Sequence, residues 1–554
     1  MKWKKWLIGL LLVVVAFVIA APRIKNFLIL NSTQIRLFFK PIPPNQEVVW
    51  EKGPAVAEKT PENRPPNVVL ILADDLGAND LTFAGGGVDN GSVPTPNIDS
   101  IAREGVSFSN GYAGHATCAP SRSAVLTGRY GSRVGFISTP GPAIAWKFVA
   151  ELQKDATRPP TYIEERADEV PDSTEMGLPP EEITIAELLN ENGYHSVMVG
   201  KWHLGMSKGI LPSDQGFDEF VGLTGGASLY APVDSPDYVN AVVDFDPIDY
   251  MQWKLTTYHV KTSTGGHFEP RGYVTDYYAE EAVKAIEANK NRPFFLYLAF
   301  NAPHSPLQAT KADYDALSHI KDHRLRVYGA MIRALDRGVG QVLDTLKRNG
   351  LEENTLVIFA SDNGAPGYLG LPDLNKPFRG WKMTFFEGGL NVPYFMKWPG
   401  RIPKGATYDK PVLHQDIFST VAAAAGSPLP TDRKIDGVNL LPYVNGQVNG
   451  RPHESLFWDG AVYQSVMVGD WKYQVDTRTG KHWLFDMKAD PTEQINLADT
   501  RPEKRKELET ALADFNRTEK AKPLWPSLLE WPVRVDETLD QSWEESDEYV
   551  TIAN

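Results

Sequence analysis

Three groups of residues in this 554-residue chain are of types that could do chemistry together. Asp74 and Asp75 end the run VVLILADD, and Asp362 and Asn363 end the run LVIFASDNG. Adjacent carboxylates at the end of an apolar run repel one another unless a cation lies between them, so two such pairs point to a hard divalent metal with oxygen ligands. Either pair alone would also serve as a turn or a helix cap. The second group is basic: Lys201 and His203 in GKWHLG, His304 in NAPHSP and Lys382 in FRGWKMTFFEGG. Pro303 and Pro306 stiffen the loop that carries His304. A lone histidine is often only a structural hydrogen-bonder, but these four would concentrate positive charge, and an anion is their natural guest. The third group is CAPSRSAVLTGR, which holds the only cysteine of the chain, Cys118. A disulfide within the chain is therefore excluded, leaving a small buried hydrophobe or a residue that takes part in the chemistry.

Elements must bring these groups to one place. Four short apolar runs break into polar residues: VVLILADD from Val68, SVMVGKWH from Ser196, FFLYLAFNAPH from Phe294 and LVIFASDNG from Leu356. Such runs suit parallel strands buried on both faces. Helical patterns lie between them. TIAELLNENG offers Thr184 as N-cap with Glu187 three residues on and Gly193 as a stop. Val327, Met331, Leu335, Val339 and Val342 recur at helical spacing before Gly350. In CAPSRSAVLTGR, Pro120 suits a first helical turn and Gly128 an end, which places Cys118 at a helix N-terminus and Arg122 one turn in. The fold class expected is α/β, a large mixed, mostly parallel sheet sandwiched by helices, with ligands at the carboxyl ends of the strands. After residue 410 the aromatic runs SLFWDG, YQSVMVGDWKYQVD and KHWLFDM, and a charged helix near 501–518, predict a smaller C-terminal antiparallel sheet plus helix.

A length of 554 residues suits a large domain with a smaller partner, and the 42% hydrophobic content is ample for a core. The net charge of −14 removes nucleic acid as a partner bound through bulk charge. Residues 1–21, three lysines followed by an apolar run from Trp6, read as a signal peptide or an N-terminal membrane anchor, so the rest of the chain is expected outside the cytoplasmic membrane. Residues 22–65 read as a Pro- and Glu-rich linker, 66–410 as the catalytic domain, 411–520 as the C-terminal subdomain and 521–554 as an acidic tail that wraps the surface or stays partly disordered. Two long loops, about 141–180 and 223–270, are aromatic enough to wall a sugar pocket, with Trp146, Tyr230 and Trp253 the candidates.

The motif CAPSRSAVLTGR resembles the cysteine-type sulfatase signature, and GYHSVMVGKWH resembles the second signature of that family. PNVVLILADDLG, TPNIDSIAREGVSFSNGYA, NAPHSP, SDNG, FRGWKMTFFEGG and LFDMKADPTEQINLA resemble further blocks in the family's order, over residues 66–500. The resemblance implies an alkaline phosphatase-like fold and a sulfuric ester hydrolase whose cysteine, Cys118, is oxidised by a maturating enzyme to Cα-formylglycine. The hydrated aldehyde carries two hydroxyls, one to attack the ester and one to expel sulfate and regenerate the aldehyde. The same resemblance makes Asp74, Asp75, Asp362, Asn363 and modified Cys118 the ligands of one Ca²⁺ ion, with Mg²⁺ as the alternative, and oxygen donors without a thiolate set speak against zinc. It gives Arg122 and His203 the formylglycine hydrate to steady, with His203 as base, and Lys201, His304 and Lys382 the sulfate and the departing oxygen.

The reading that follows is an exported or anchored, formylglycine-dependent sulfatase acting on a sulfate monoester of a carbohydrate. Its rivals are a phosphonate monoester or phosphodiester hydrolase of the same superfamily and a carbohydrate-binding relative without catalysis. A second divalent ion would favour the first rival, whereas the complete set of catalytic residue types speaks against the second. A thiol hydrolase would leave both acidic pairs unexplained.

Overall fold

The computed structural model describes residues 27–554 apart from 61, 62 and 84. The segment read as signal peptide or anchor lies outside the described residues. Among the described residues no helix is long and apolar enough to cross a membrane.

Five parallel strands form the middle of a ten-stranded sheet: β1 (Asn67–Ala73), β2 (His195–Lys201), β3 (Glu219–Leu223), β4 (Phe294–Ala299) and β5 (Thr355–Ser361). Their order across the sheet is β5-β1-β4-β2-β3. Antiparallel strands join both ends of this run, Tyr394–Lys397 beside β5 and Val260–Thr262 beside β3, so the sheet is mixed but mostly parallel at its centre. Pairing is in step at the carboxyl ends: Ala73 lies opposite Ser361, Leu72 opposite Ala299, and Ala299 opposite Gly200.

The continuous apolar runs have a simple cause. Side chains alternate across a strand, and both faces of this sheet are covered. Val69 and Ile71 of β1 pack into one core with the helices Val274–Asn289 and His323–Arg348. Val68, Leu70 and Leu72 pack into another with Cys118–Thr127, Ile185–Asn190 and Gln415–Ala425. The helix signals in the sequence act as expected. Thr184 and Glu187 form the reciprocal capping box, and Val327, Met331, Leu335, Val339 and Val342 are all buried along one long helix.

The C-terminal region forms a four-stranded antiparallel meander, from Ser455–Gly460 to Lys481–Asp486, covered by the helix Pro502–Thr518. The acidic tail wraps the body in ordered form. Leu529–Arg534 pairs antiparallel with Tyr549–Ala553 and with Thr161–Tyr162, a strand contributed by one of the long loops. The segment before residue 66 carries the helix Ser32–Phe39 and then lies along the body, with Trp50 buried and its indole N–H donating to Glu281 at 2.9 Å.

Candidate active site

Four adjacent strands deliver the chemistry at their carboxyl ends. β1 exits into Asp74-Asp75, β5 into Asp362-Asn363, β4 into the loop with His304, and β2 ends on Lys201 with His203 two residues on. Backbone bonds knit these exits together, Asp362 N–H to Ala73 C=O at 3.0 Å and Asp74 N–H to Ala302 C=O at 3.2 Å. Gly200 makes the close approach possible. Its φ is +110°, and a Cβ there would stand 1.9 Å from the carbonyl oxygen of Ala299.

Above the strand ends, the helix that begins at Cys118 points its N-terminus into the site. The Cys118 Sγ lies 3.4 Å from Asp74 Oδ1 and 3.7 Å from Asp75 Oδ1. Arg122 is fully buried one turn on; its Nε donates to Asp362 Oδ2 at 2.8 Å and its Nη1 to the Lys201 carbonyl at 2.9 Å. Lys201 Nζ donates to Asp74 Oδ2 at 2.6 Å. Lys382 arrives on a separate loop, its Nζ 2.8 Å from the Asp75 carboxylate and 3.2 Å from Cys118 Sγ. That loop is fastened at both sides, Lys382 N–H to Ala365 C=O at 3.0 Å and Met383 N–H to Ala116 C=O at 2.7 Å.

Every site residue expected from the sequence except His203 is joined to the others by these contacts or by the following ones. Asn363 Nδ2 donates to Asp75 Oδ1 at 2.7 Å, and His304 Nε2 stands 3.6 Å from Asp75 Oδ2. His203 reaches the group through the wall of a cavity that it shares with Cys118, His304 and Lys382. Asp75, His203 and Met383 all hold a positive φ, 65°, 60° and 77°, which costs a non-glycine residue free energy and is typical of sites whose geometry is imposed by their surroundings.

Burial dominates the electrostatics. Three carboxylates, Asp74, Asp75 and Asp362, face three cations, Arg122, Lys201 and Lys382, and all six are buried. Burial pushes the Asp75 carboxyl up, but the Lys382 and Lys201 charges outweigh it and hold the group well below the usual range. Asp362 goes the other way, raised by burial and by the neighbouring Asp74. Burial and the Asp362 charge push the Cys118 thiol up, so it stays protonated here and is a poor nucleophile as it stands. His203 and His304 are held neutral, first by burial; the Lys201 and Arg122 charges add to this at His203, and Lys382 and Lys201 oppose the pull of Asp75 at His304, whose pKa falls to about 3.

A divalent cation fits these residues. The donor set is oxygen-rich, three like charges are crowded together, and Asn363 Oδ1 is buried without a partner. The most compact potential ligand group is Asp74, Asp75, Cys118 and His304, with atoms within 4.8 Å of one another. Asp362 lies just beside it, its carboxylate taken by Arg122 and by the Asp75 N–H at 3.1 Å. His304 therefore stands closer to the acidic group than its sequence context suggested.

A cavity of about 430 Å³ opens over Cys118. His304, Lys382 and Tyr368 line it beside Cys118, and apolar side chains also line it, Trp146 and Val149 on the helix Ala143–Leu152 of one long loop, Ile248 and Met251 on the helix Pro247–Leu255 of the other, and Trp531 and Ile552 from the tail. Two of the three aromatic residues expected as walls do other work. Tyr230 is buried, donating its hydroxyl to the carbonyls of Asn301 and His304, and so props the His304 loop from behind. Trp253 packs on the core and donates to Asp249 at 2.9 Å. Only Trp146 lines the cavity. The sequence reading missed Trp531, which sits in a segment read as tail, and Tyr368, whose hydroxyl is 3.1 Å from Asp75 and 3.3 Å from Lys382 Nζ. Tyr368 lies only five residues beyond Asn363, past the same strand end, and that placement was the available signal.

Comparison with known proteins agrees with this geometry. A family model described as Sulfatase matches residues 66–427. The N-acetylgalactosamine-6-sulfatase of Canis lupus familiaris is 34% identical over 420 residues, 74% of this chain and 71% of its own length. The steryl-sulfatase of Rattus norvegicus is 32% identical, covering 77% of this chain and 78% of its own. The crystal structure of Ps i-CgsB superposes with a TM-score of 0.68 at 30% identity over 83% of this chain and 95% of that one, and it has also been solved in complex with k-i-k-neocarrahexaose. With the family match spanning most of the folded body and the strand-end residues converging on one buried centre, this chain belongs to the sulfatase family and is an enzyme that hydrolyses sulfate esters.

Proposed function

We propose that this enzyme removes sulfate from a sulfated carbohydrate, using residue 118 as Cα-formylglycine and one Ca²⁺ ion, after export directed by its N-terminal segment. The observation that carries the reading is the buried, charge-balanced set around Cys118. Three carboxylates and three cations cancel, so a divalent ion adds two positive charges that a monoanionic ester and one ionised hydroxyl neutralise.

Hydrated formylglycine would supply one hydroxyl to attack sulfur and a second whose deprotonation expels sulfate. Ca²⁺ held among Asp74, Asp75, Asp362, Asn363 and residue 118 would polarise a sulfate oxygen and favour the ionised hydroxyl. The other residues bind and move protons. Arg122, locked to Asp362 and to the Lys201 carbonyl, orients residue 118. His203, kept neutral and with Nδ1 unpartnered, is free to accept the proton of the elimination step. Lys201 and Lys382 offset charge on the sulfate oxygens, and the leaving oxygen takes its proton from Lys382, or from His304 once a bound sulfate anion has let that imidazole gain one.

A carbohydrate substrate is favoured by the relatives: one is named N-acetylgalactosamine-6-sulfatase, and another was solved in complex with k-i-k-neocarrahexaose. The apolar walls with Trp146 and Trp531 suit the faces of sugar rings. Among the described residues there is one compact group of potential ligands, in keeping with one metal and a monoanionic ester rather than phosphoryl chemistry.

The test is direct. Peptide mass spectrometry of active enzyme should find residue 118 as the aldehyde or its hydrate, and a panel of sulfated saccharides should yield free sulfate. Calcium chelation should abolish turnover, and added Ca²⁺ should restore it. Full activity with an intact thiol, or stoichiometric zinc in the active centre, overturns the reading.

A further inference from the structure

Outside the active cavity, on the far side of the helix Pro247–Leu255 whose Ile248 and Met251 line that cavity, the helix Ser32–Phe39 is built with two unlike faces. Thr33 is buried and donates its hydroxyl to the Leu255 carbonyl at 2.9 Å, which fixes the inner face to the body. Ile35, Phe38 and Phe39, at spacings of three and four, share the opposite face. Phe38 is 84% exposed and Phe39 79%, and every exposed phenylalanine among the described residues lies between Phe27 and Phe39. Aromatic residues left in water in this way mark an interaction site.

Beside this apolar face is a cavity of about 260 Å³ lined by Arg36, Lys40, Lys261, His259 and His267, with no acidic residue in its wall. In a chain of net charge −14 this is an unusual concentration of unneutralised cations. Among the described residues, Lys261 Nζ has only the Thr224 hydroxyl at 3.0 Å as a partner. The cations repel one another: beyond burial, Arg36 lowers the Lys261 pKa, and Lys261, His267 and Arg36 add to the burial that brings His259 to about 4. Such a cleft takes phosphate or another compact anion.

We propose that this face docks on a membrane bearing anionic phospholipid, with Ile35, Phe38 and Phe39 entering the interface and a headgroup phosphate held among Arg36, Lys40 and Lys261. A soluble anion would explain the cations but not the phenylalanines. An uncharged protein partner would explain the phenylalanines but not the cations. A lipid interface joins the two at this spacing. In sequence, only residues 22–31 separate this helix from the apolar run of residues 6–21, the stretch most suited to lipid. The proposal is independent of the sulfate chemistry, since none of these residues lines the active cavity.

Flotation of the full-length protein with phosphatidylcholine vesicles, with and without phosphatidylglycerol, tests it. The unaltered protein should prefer the anionic vesicles by roughly tenfold or more, and added salt should weaken the preference. Arg36→Gln/Lys40→Gln/Lys261→Gln should remove the preference while leaving residual binding. Phe38→Ser/Phe39→Ser should weaken binding to both vesicle types. These surface changes should leave hydrolysis of a small aryl sulfate intact, which also reports that the variants are folded. If both variants bind like the unaltered protein, the apolar run alone holds the membrane and the proposal fails. It fails equally if the cation variant loses binding to a soluble sulfated polysaccharide while the unaltered protein shows no preference for anionic vesicles.

Discussion

Lys382 is the residue on which the site turns, since one ammonium reaches Asp75, Cys118 and Tyr368 at once. Lys382→Ala should lower kcat by about 10²–10³-fold on every substrate, because it removes a charge that meets developing negative charge and leaves Asp75 less compensated. His304 should behave differently. If it protonates the leaving oxygen, His304→Ala should damage turnover of a sugar sulfate far more than that of an activated aryl sulfate, whose leaving group needs no proton. Steady-state kinetics on the two substrates give the ratio, and equal losses would place His304 in binding rather than proton transfer. Tyr368→Phe keeps the ring on the cavity wall and removes only the hydroxyl, so its effect should stay within about tenfold.

At the scale of elements, the loop that delivers Lys382 is held by the C-terminal sheet. Lys472, on the third strand of the meander, is fully buried between Glu387 at 2.8 Å and Glu493 at 3.0 Å. Glu387 also accepts from the Tyr112 hydroxyl at 3.0 Å, and Phe385 N–H donates to the Tyr463 hydroxyl at 3.0 Å. Lys472→Ala would leave two buried carboxylates facing each other and should cost about 3–5 kcal/mol, read as a lower midpoint in urea unfolding. A second prediction concerns the cavity walls. Trp146→Ala and Trp531→Ala should raise KM for a sulfated oligosaccharide while leaving a small aryl sulfate nearly untouched, because they remove binding surface and no reacting group. Tyr230→Phe should instead impair both substrates, since its hydroxyl supports the His304 loop.

The whole molecule carries several carboxyl groups that prefer to stay protonated. Burial is the main cause at Asp80 and Asp246, raised to about 7, and at Asp249 and Asp336, raised to about 6. A carboxyl whose folded pKa exceeds its unfolded value binds its proton more tightly when folded, so its contribution is present at low pH and lost as pH rises through the folded value. The buried imidazoles His115, His259 and His414, each lowered to about 4 mainly by burial, act in the opposite sense and withdraw stability as pH falls below their unfolded value. The two sets oppose one another over the same range: each raised carboxyl makes Tm fall as pH rises from its ordinary value to its folded one, about 7 at Asp80, while each lowered imidazole makes Tm rise between about 4 and its ordinary value. Asp80, which accepts from the Tyr328 hydroxyl and the Gly77 N–H at 2.6 Å each, is the simplest probe. Asp80→Asn should remove its share of the fall in Tm up to about pH 7 in a thermal unfolding series, and an unchanged slope would assign that fall to other groups.

Much of this protein was legible in the linear chain. A parallel strand covered on both faces must be apolar throughout and must end where polar residues can meet a ligand, so VVLILADD, SVMVGKWH, FFLYLAFNAPH and LVIFASDNG announced both strands and site. The capping box at Thr184 and the spacing from Val327 to Val342 are local signals, and local interactions sufficed to place those helices. Other features depended on partners distant in sequence. Which strands are neighbours, and hence that Asp74, Asp362, His304 and Lys201 meet, follows from the order β5-β1-β4-β2-β3, which no single run encodes. The aromatic loops show the limit most clearly: Trp146, on the helix Ala143–Leu152, faces the cavity, and Tyr230, outside any helix or strand, turns its hydroxyl to the His304 loop, though both lie in segments of similar composition. The repeat of a helix or strand fixes how its side chains point relative to one another, but which face meets the cavity is decided by where the element packs. For that reason the tertiary structure alone could bring Trp531 from the tail to the cavity and Lys472 to the support of the catalytic loop.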